Sequence, residues 1–271
     1  DYNLVQGKWF PYVEPWHTGQ IILGLLDAYE ITKSPQALAA ARKAGDWWIG
    51  LEIKDNPALK GMVGATHGDD IGNEKIVIAT VTDGTHGIFE LSRVTGDKKY
   101  ADYYETTFIN AIMASVNEDT GMTTYFQPMA TGFFKVYCNA DLEKNYFWCC
   151  TGTGLENFTK LGESFYFYSG NKLIVNQYTS SKVTWKAKNI QLVQDSDIPN
   201  SEQTKFTVKL LNGAGSADMD LRLRVPDWAA AAPTVKVNGT AVNVTASNGY
   251  LSINRTWKDG DTVDVTLPME I

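Results

Sequence analysis

The chain has 271 residues, 24 Lys and Arg against 31 Asp and Glu, and a formal net charge of −7. With 44% hydrophobic and 20% charged residues, the composition is that of a globular protein with room for one large domain or two average ones. The acidic balance argues against a nucleic-acid partner, which needs clustered Lys and Arg. No apolar run approaches the ~20 residues of a membrane span. No leader segment is visible after Asp1, which leaves a cytoplasmic or a secreted bacterial protein open and says nothing of oligomeric state.

Residues 17–31 (HTGQIILGLLDAYEI) are apolar nearly all round and predict a helix buried on most faces. Ser34 is placed to cap a second helix, with Pro35 at its first position and Gln36 to Ile53 as its run. The stretch Gly24 to Ser34 recurs 63 residues later as Gly87 to Asp97, so each copy reads as helix, Thr-containing turn and second helix. Repeated helical hairpins build a solenoid or a closed helical toroid. From about residue 170 the apolar period becomes two. The segments Lys172–Tyr178, Lys182–Ala187, Lys205–Leu210, Asp220–Val225, Thr234–Val237, Tyr250–Asn254 and Val263–Leu267 alternate between Gly- and Asn-rich turns. The expectation is an α+β multidomain chain: a helical-hairpin, toroid-like part over residues 1–168 and an antiparallel β-sandwich over 169–271.

The chemistry-bearing stretch is Tyr146 to Lys160, YFWCCTGTGLENFTK. Cys138, Cys149 and Cys150 are an odd count with two adjacent, which does not suit a disulfide framework. Metal ligation, nucleophilic catalysis and simple burial all remain open for them. A Thr-Gly-Thr-Gly turn is expected to feed a helix carrying Glu156 in its first turn, and a thiol at such an N-terminus has its thiolate favoured. No phosphate-cradling loop is present, because this Gly-rich turn lacks the Lys and the preceding strand. Four Asn-x-Ser/Thr sequons, at Asn157, Asn238, Asn243 and Asn254, matter only in a eukaryotic secretory host.

FWCCTGTGLENFTK resembles the signature of the β-L-arabinofuranosidase family, glycoside hydrolase family 127 and its relatives. Residues 95–105, 119–128, 132–137, 221–228 and 257–262 are similar to further segments of that family, so the resemblance spans nearly the whole chain. It implies an (α/α)6 toroid followed by β-sandwich domains, acting on plant-type glycans. It also implies that Cys149 is nucleophile and zinc ligand, that Cys150 is a second ligand, and that hydrolysis is retaining. The family's other ligands come from a Glu-x-Cys step, and in register this chain has Val77-Ile78-Ala79 there. Cys138 is the candidate substitute ligand, and Glu74 is the nearest carboxylate, the candidate for acid–base catalysis. Zinc is the metal that thiolates favour. Trp16, His17, His67 and Tyr125 are the candidate sugar contacts. His17 also fits a helix-start residue bonded to backbone, His67 a solvated turn, and His86 helix packing.

A closed toroid needs about twelve helices and only four or five fit before residue 170, so a fragment of a longer protein is expected. Two other readings compete: a catalytically inactive carbohydrate-binding relative, and a metal-independent glycosidase using two carboxylates such as Glu14 and Asp69.

Overall fold

The computed structural model describes residues 15–50, 75–128, 132, 134–137 and 149–270. Two compact units divide the chain, Asp1–Leu161 and Gly162–Ile271.

In the first unit the internal repeat is realised hydrogen bond by hydrogen bond. Helix α1 (Pro15–Thr32) and α2 (Pro35–Ile49) form one hairpin, and α3 (Ile78–Thr95) and α4 (Lys98–Thr107) the other. Each first helix ends on a residue in the left-handed region, Lys33 at φ 55° and Gly96 at φ 64°. The N–H groups of these residues donate to Tyr29 O (2.7 Å) and Ser92 O (2.8 Å). Thr32 and Thr95 Oγ1 donate to the carbonyls four residues back, both at 2.6 Å, and accept from Ser34 N and Asp97 N, both at 3.2 Å. Ser34 Oγ then caps α2 by accepting from Ala37 N, and Asp97 Oδ1 caps α4 by accepting from Lys99 N. Helix α2 ends at Ile49 with Gly50 as its cap, before the expected Ile53, which lies outside the described residues.

Equivalent positions of the two hairpins also touch. Arg93 pairs with Glu30, 63 residues earlier, at 2.7 Å, so the same register position supplies the acid in one copy and the base in the next. The core of the unit is Ile22, Leu26, Ala41, Ala44, Trp48, Ile88, Leu91 and Tyr100. Trp48 Nε1 donates to Tyr103 Oη at 2.8 Å, and Tyr100 Oη to Asp46 at 2.7 Å, which fixes α4 against α2. Burial, above all, pushes the Tyr103 hydroxyl well above its ordinary pKa, so it stays protonated.

A short strand, β1 (Lys75–Val77), runs directly into α3 and pairs antiparallel with β2 (Phe126–Pro128). A last helix, α5 (Cys149–Lys160), packs on α3.

The second unit holds ten strands. These are β3 (Tyr166–Ser169), β4 (Lys172–Val175), β5 (Ser181–Trp185), β6 (Ile190–Ser196), β7 (Gln203–Leu210), β8 (Ala217–Arg224), β9 (Thr234–Val237), β10 (Thr240–Val242), β11 (Tyr250–Trp257) and β12 (Thr262–Thr266). They form a six-stranded sheet in the order β10-β9-β12-β7-β6-β5 and a four-stranded sheet in the order β11-β8-β4-β3. Alternation sends Leu192, Phe206, Val208, Val263 and Val265 of the first sheet into one core with Leu173, Val175, Leu221, Leu223 and Trp257 of the second. Pairing is antiparallel except between β4 and β8, which run parallel. That pair corrects the all-antiparallel expectation. Because β5, β6 and β7 belong to the other sheet, the chain re-enters beside β4 running in the same direction.

Candidate functional site

The double cysteine opens α5. The backbone of Cys149 and Cys150 begins this twelve-residue helix, and Thr151 to Gly154 continue it. The expected turn before the helix is therefore corrected: the two glycines lie inside it, and Glu156 sits past its second turn. Packing overrides the low helix propensity of Thr and Gly, since Thr151, Gly154 and Asn157 form a buried stripe at a spacing of three. Asn157 Nδ2 donates to Thr82 Oγ1 of α3 at 2.7 Å and to Gly154 O at 3.1 Å. In the sequence alone Asn157 reads only as a sequon. A small, polar i, i+3 stripe was the signal available for it. The buried Asn157 amide is unsuited to glycosylation.

Asn157 lies eight residues beyond Cys149, about 12 Å along the helix axis. The buried stripe therefore reaches back to Thr151 in the first turn, and the positive end of the helix dipole lies at the cysteine pair.

Val77, Ile78 and Ala79 occupy the junction between β1 and α3. No donor for a metal exists at these positions, so the junction does not match the Glu-x-Cys step that the resemblance implies. Among the described residues no three His, Cys, Asp or Glu side chains converge as a metal-holding set. With no donor at Val77, Ile78 or Ala79, the described residues do not complete the four-ligand zinc site that the resemblance implies. Cys138, Glu74, His67, Glu14 and Asp69 lie outside the described residues.

Trp16 and His17 fall in the first turn of α1. Tyr125 is half-buried immediately before β2, its ring edge-on to Phe126 at 4.6 Å. Pairing of Phe126 with Val77 puts Tyr125 beside the start of α3. His86 is half-buried in the wall of a small recess with Thr82, Phe89, Tyr104, Glu156, Asn157 and Lys160. At the rim of that recess Glu156 pairs with Lys160 at 3.0 Å, an i, i+4 bridge on the helix surface.

Two family models match the chain: the "Beta-L-arabinofuranosidase, GH127 catalytic domain" over residues 88–163 and the "Beta-L-arabinofuranosidase, GH127 middle domain" over residues 172–269. A non-reducing end β-L-arabinofuranosidase of Bifidobacterium longum subsp. longum is 24% identical, over 79% of this chain and 35% of its own length. A solved glycoside hydrolase and a solved GH127 β-arabinofuranosidase each superpose with a TM-score of 0.60 at 20% identity. Each match covers 92% of this chain and 55% or 51% of theirs. The GH127 β-L-arabinofuranosidase of Geobacillus stearothermophilus T6 gives a TM-score of 0.56 at 16% identity, over 92% of this chain and 53% of its own. The chain thus spans about a third of the curated relative and about half of the solved ones. With the double cysteine inside the stretch matched by the catalytic-domain model and the two-sheet unit matched by the middle-domain model, the chain belongs to the GH127 β-L-arabinofuranosidase family.

Proposed function

We propose that this chain is the cysteine-bearing part of a retaining β-L-arabinofuranosidase acting on plant-type glycans. The observation that supports the reading is the cysteine pair at the N-terminus of α5, within the region matched by the catalytic-domain model. The positive end of the helix dipole favours the Cys149 thiolate. The thiolate attacks the anomeric carbon, a C–S bond forms as the glycosidic C–O bond breaks, and a carboxylic acid protonates the departing oxygen. Water then attacks the same carbon, the resulting carboxylate takes its proton, and the thiolate leaves. Glu74 is the carboxyl group assigned here to that exchange, and Trp16, His17, His67 and Tyr125 the sugar contacts. The helical hairpins form a sector of an (α/α)6 toroid, and the two sheets a β-sandwich.

A second reading is favoured by one specific feature, the donor-free junction at Val77–Ala79: a carbohydrate-binding relative that has lost turnover. Release of arabinose from an aryl β-L-arabinofuranoside separates the two. Turnover is expected from the parent, and Cys149→Ser is expected to lower it by more than about a thousandfold. The melting temperature should move by no more than a few degrees, since a serine conserves volume. Activity retained by the serine variant removes the thiol from the mechanism. An inactive but glycan-binding parent establishes the second reading.

A further inference from the structure

The second unit carries an exposed tyrosine ring beside a half-buried tryptophan that packs against the core. Strands β3 and β5 are the end strands of the four- and six-stranded sheets. Tyr166, on β3, is half-buried, and its hydroxyl meets Ser181 Oγ at 2.7 Å and Gln194 Oε1 at 2.9 Å, so it closes this edge of the core. Tyr168, two residues on and hence on the same face of the strand, is 72% exposed. Its ring stands 5.7 Å from that of Trp185, tilted by 38°. The Lys188 ammonium stands 5.8 Å from the Trp185 ring centre and donates to Asn171 Oδ1 at 2.6 Å. The two hairpin tips, β3–β4 and β5–β6, are thereby tied together beside the rings.

End strands ordinarily carry polar side chains, because exposed apolar edges invite aggregation. Among the described residues Tyr168 is the one large apolar side chain of the second unit that stands exposed; the other seven, such as Ile31, Phe134 and Phe158, belong to the first unit. A protein partner needs a continuous apolar area far larger than two rings. Two rings with an amide and an ammonium at their rim match the C–H face and the hydroxyls of one or two sugar residues. The geometry points to a glycan-binding platform on the second unit, formed by Tyr168 and Trp185, with Asn171 and Lys188 bonding sugar hydroxyls. The ligand class rests on the glycan reading above; the platform itself rests on the ring geometry.

Affinity electrophoresis of the full chain through gels containing a soluble plant arabinan, a soluble xylan or dextran tests it. Retardation by arabinan or xylan is expected for the parent. Weakening by about tenfold is expected for Tyr168→Ala and for Trp185→Ala, with retention in Tyr168→Phe, which keeps the ring. A cooperative thermal transition above the assay temperature would show that the alanine variants remain folded, with a lower melting temperature expected for Trp185→Ala, whose ring packs against the core. Undiminished retardation in both folded alanine variants, or a parent that neither arabinan nor xylan retards, overturns the platform. Arabinose release by the parent, assayed alongside, reports on the hydrolase reading independently of this result.

Discussion

Gly24 and Gly87 hold the same position in the two helical hairpins, and a methyl group would meet different surroundings at each. At Gly87 a Cβ would stand 3.0 Å from the Gly19 carbonyl oxygen and 3.3 Å from Ile22 Cβ, whereas at Gly24 nothing lies within 4 Å. Gly87→Ala must therefore push α3 away from α1, and a destabilisation of about 1–3 kcal/mol is expected. Gly24→Ala should instead stabilise by up to about 1 kcal/mol, as alanine does in an exposed helix interior. Urea denaturation of the two variants checks the contrast, and equal effects would contradict the α1–α3 contact. Asp261 offers a second residue-level test. Burial alone would raise its carboxyl pKa. The Lys258 N–H (2.9 Å), the Asn238 amide (2.8 Å) and the charges of Arg255 and Lys258 outweigh burial and hold it below the usual carboxylate range. A depressed folded pKa contributes stability above the ordinary carboxylate range and loses it as pH falls through the folded value. Asp261→Asn is expected to cost about 1–3 kcal/mol near neutral pH, with the difference narrowing as the solution is acidified through that range. A pH-independent difference would show that the carboxylate charge is not what the turn uses.

At the scale of elements, the hairpins were legible because each local signal agreed with its neighbours. Ser34 and Asp97 are caps, Pro35 fits a first turn, and the apolar pattern returns at the same offset in both copies. The Arg93–Glu30 pair was not legible, since it depends on how α1 and α3 lie side by side rather than on either helix alone. The parallel β4–β8 pair escaped for a similar reason: a period of two fixes which face of a strand is buried and carries no information on direction. Helix α5 misled because Thr-Gly-Thr-Gly has the propensity of a turn, while the stripe Thr151–Gly154–Asn157 and its bond to Thr82 settle it as helix. Asn157→Ala would leave the Thr82 hydroxyl without this donor and open space against α3. It should cost about 1–3 kcal/mol and lower any arabinose release, by loosening the helix that begins at Cys149. Loss of stability without loss of activity would separate that anchor from the site.

For the molecule as a whole, the two units each enclose their own core. Residues 162–271, expressed alone, should give a single cooperative thermal transition with a β-type circular dichroism spectrum, and a broad non-cooperative one would contradict that independence. Zinc analysis bears on the donor mismatch at Val77–Ala79: well under one zinc per chain is expected from protein purified without chelator. Stoichiometric zinc that disappears in Cys138→Ala would show instead that Cys138 supplies the missing ligand. The central claim, a thiolate nucleophile at the start of α5, is tested most directly by trapping. The chain is incubated with an activated aryl β-L-arabinofuranoside, quenched in acid and mapped by peptide mass spectrometry. The account predicts one pentosyl group on the peptide containing Cys149, lost in Cys149→Ser; arabinose release with the sugar trapped on another residue, or with the label unchanged in the serine variant, would contradict it.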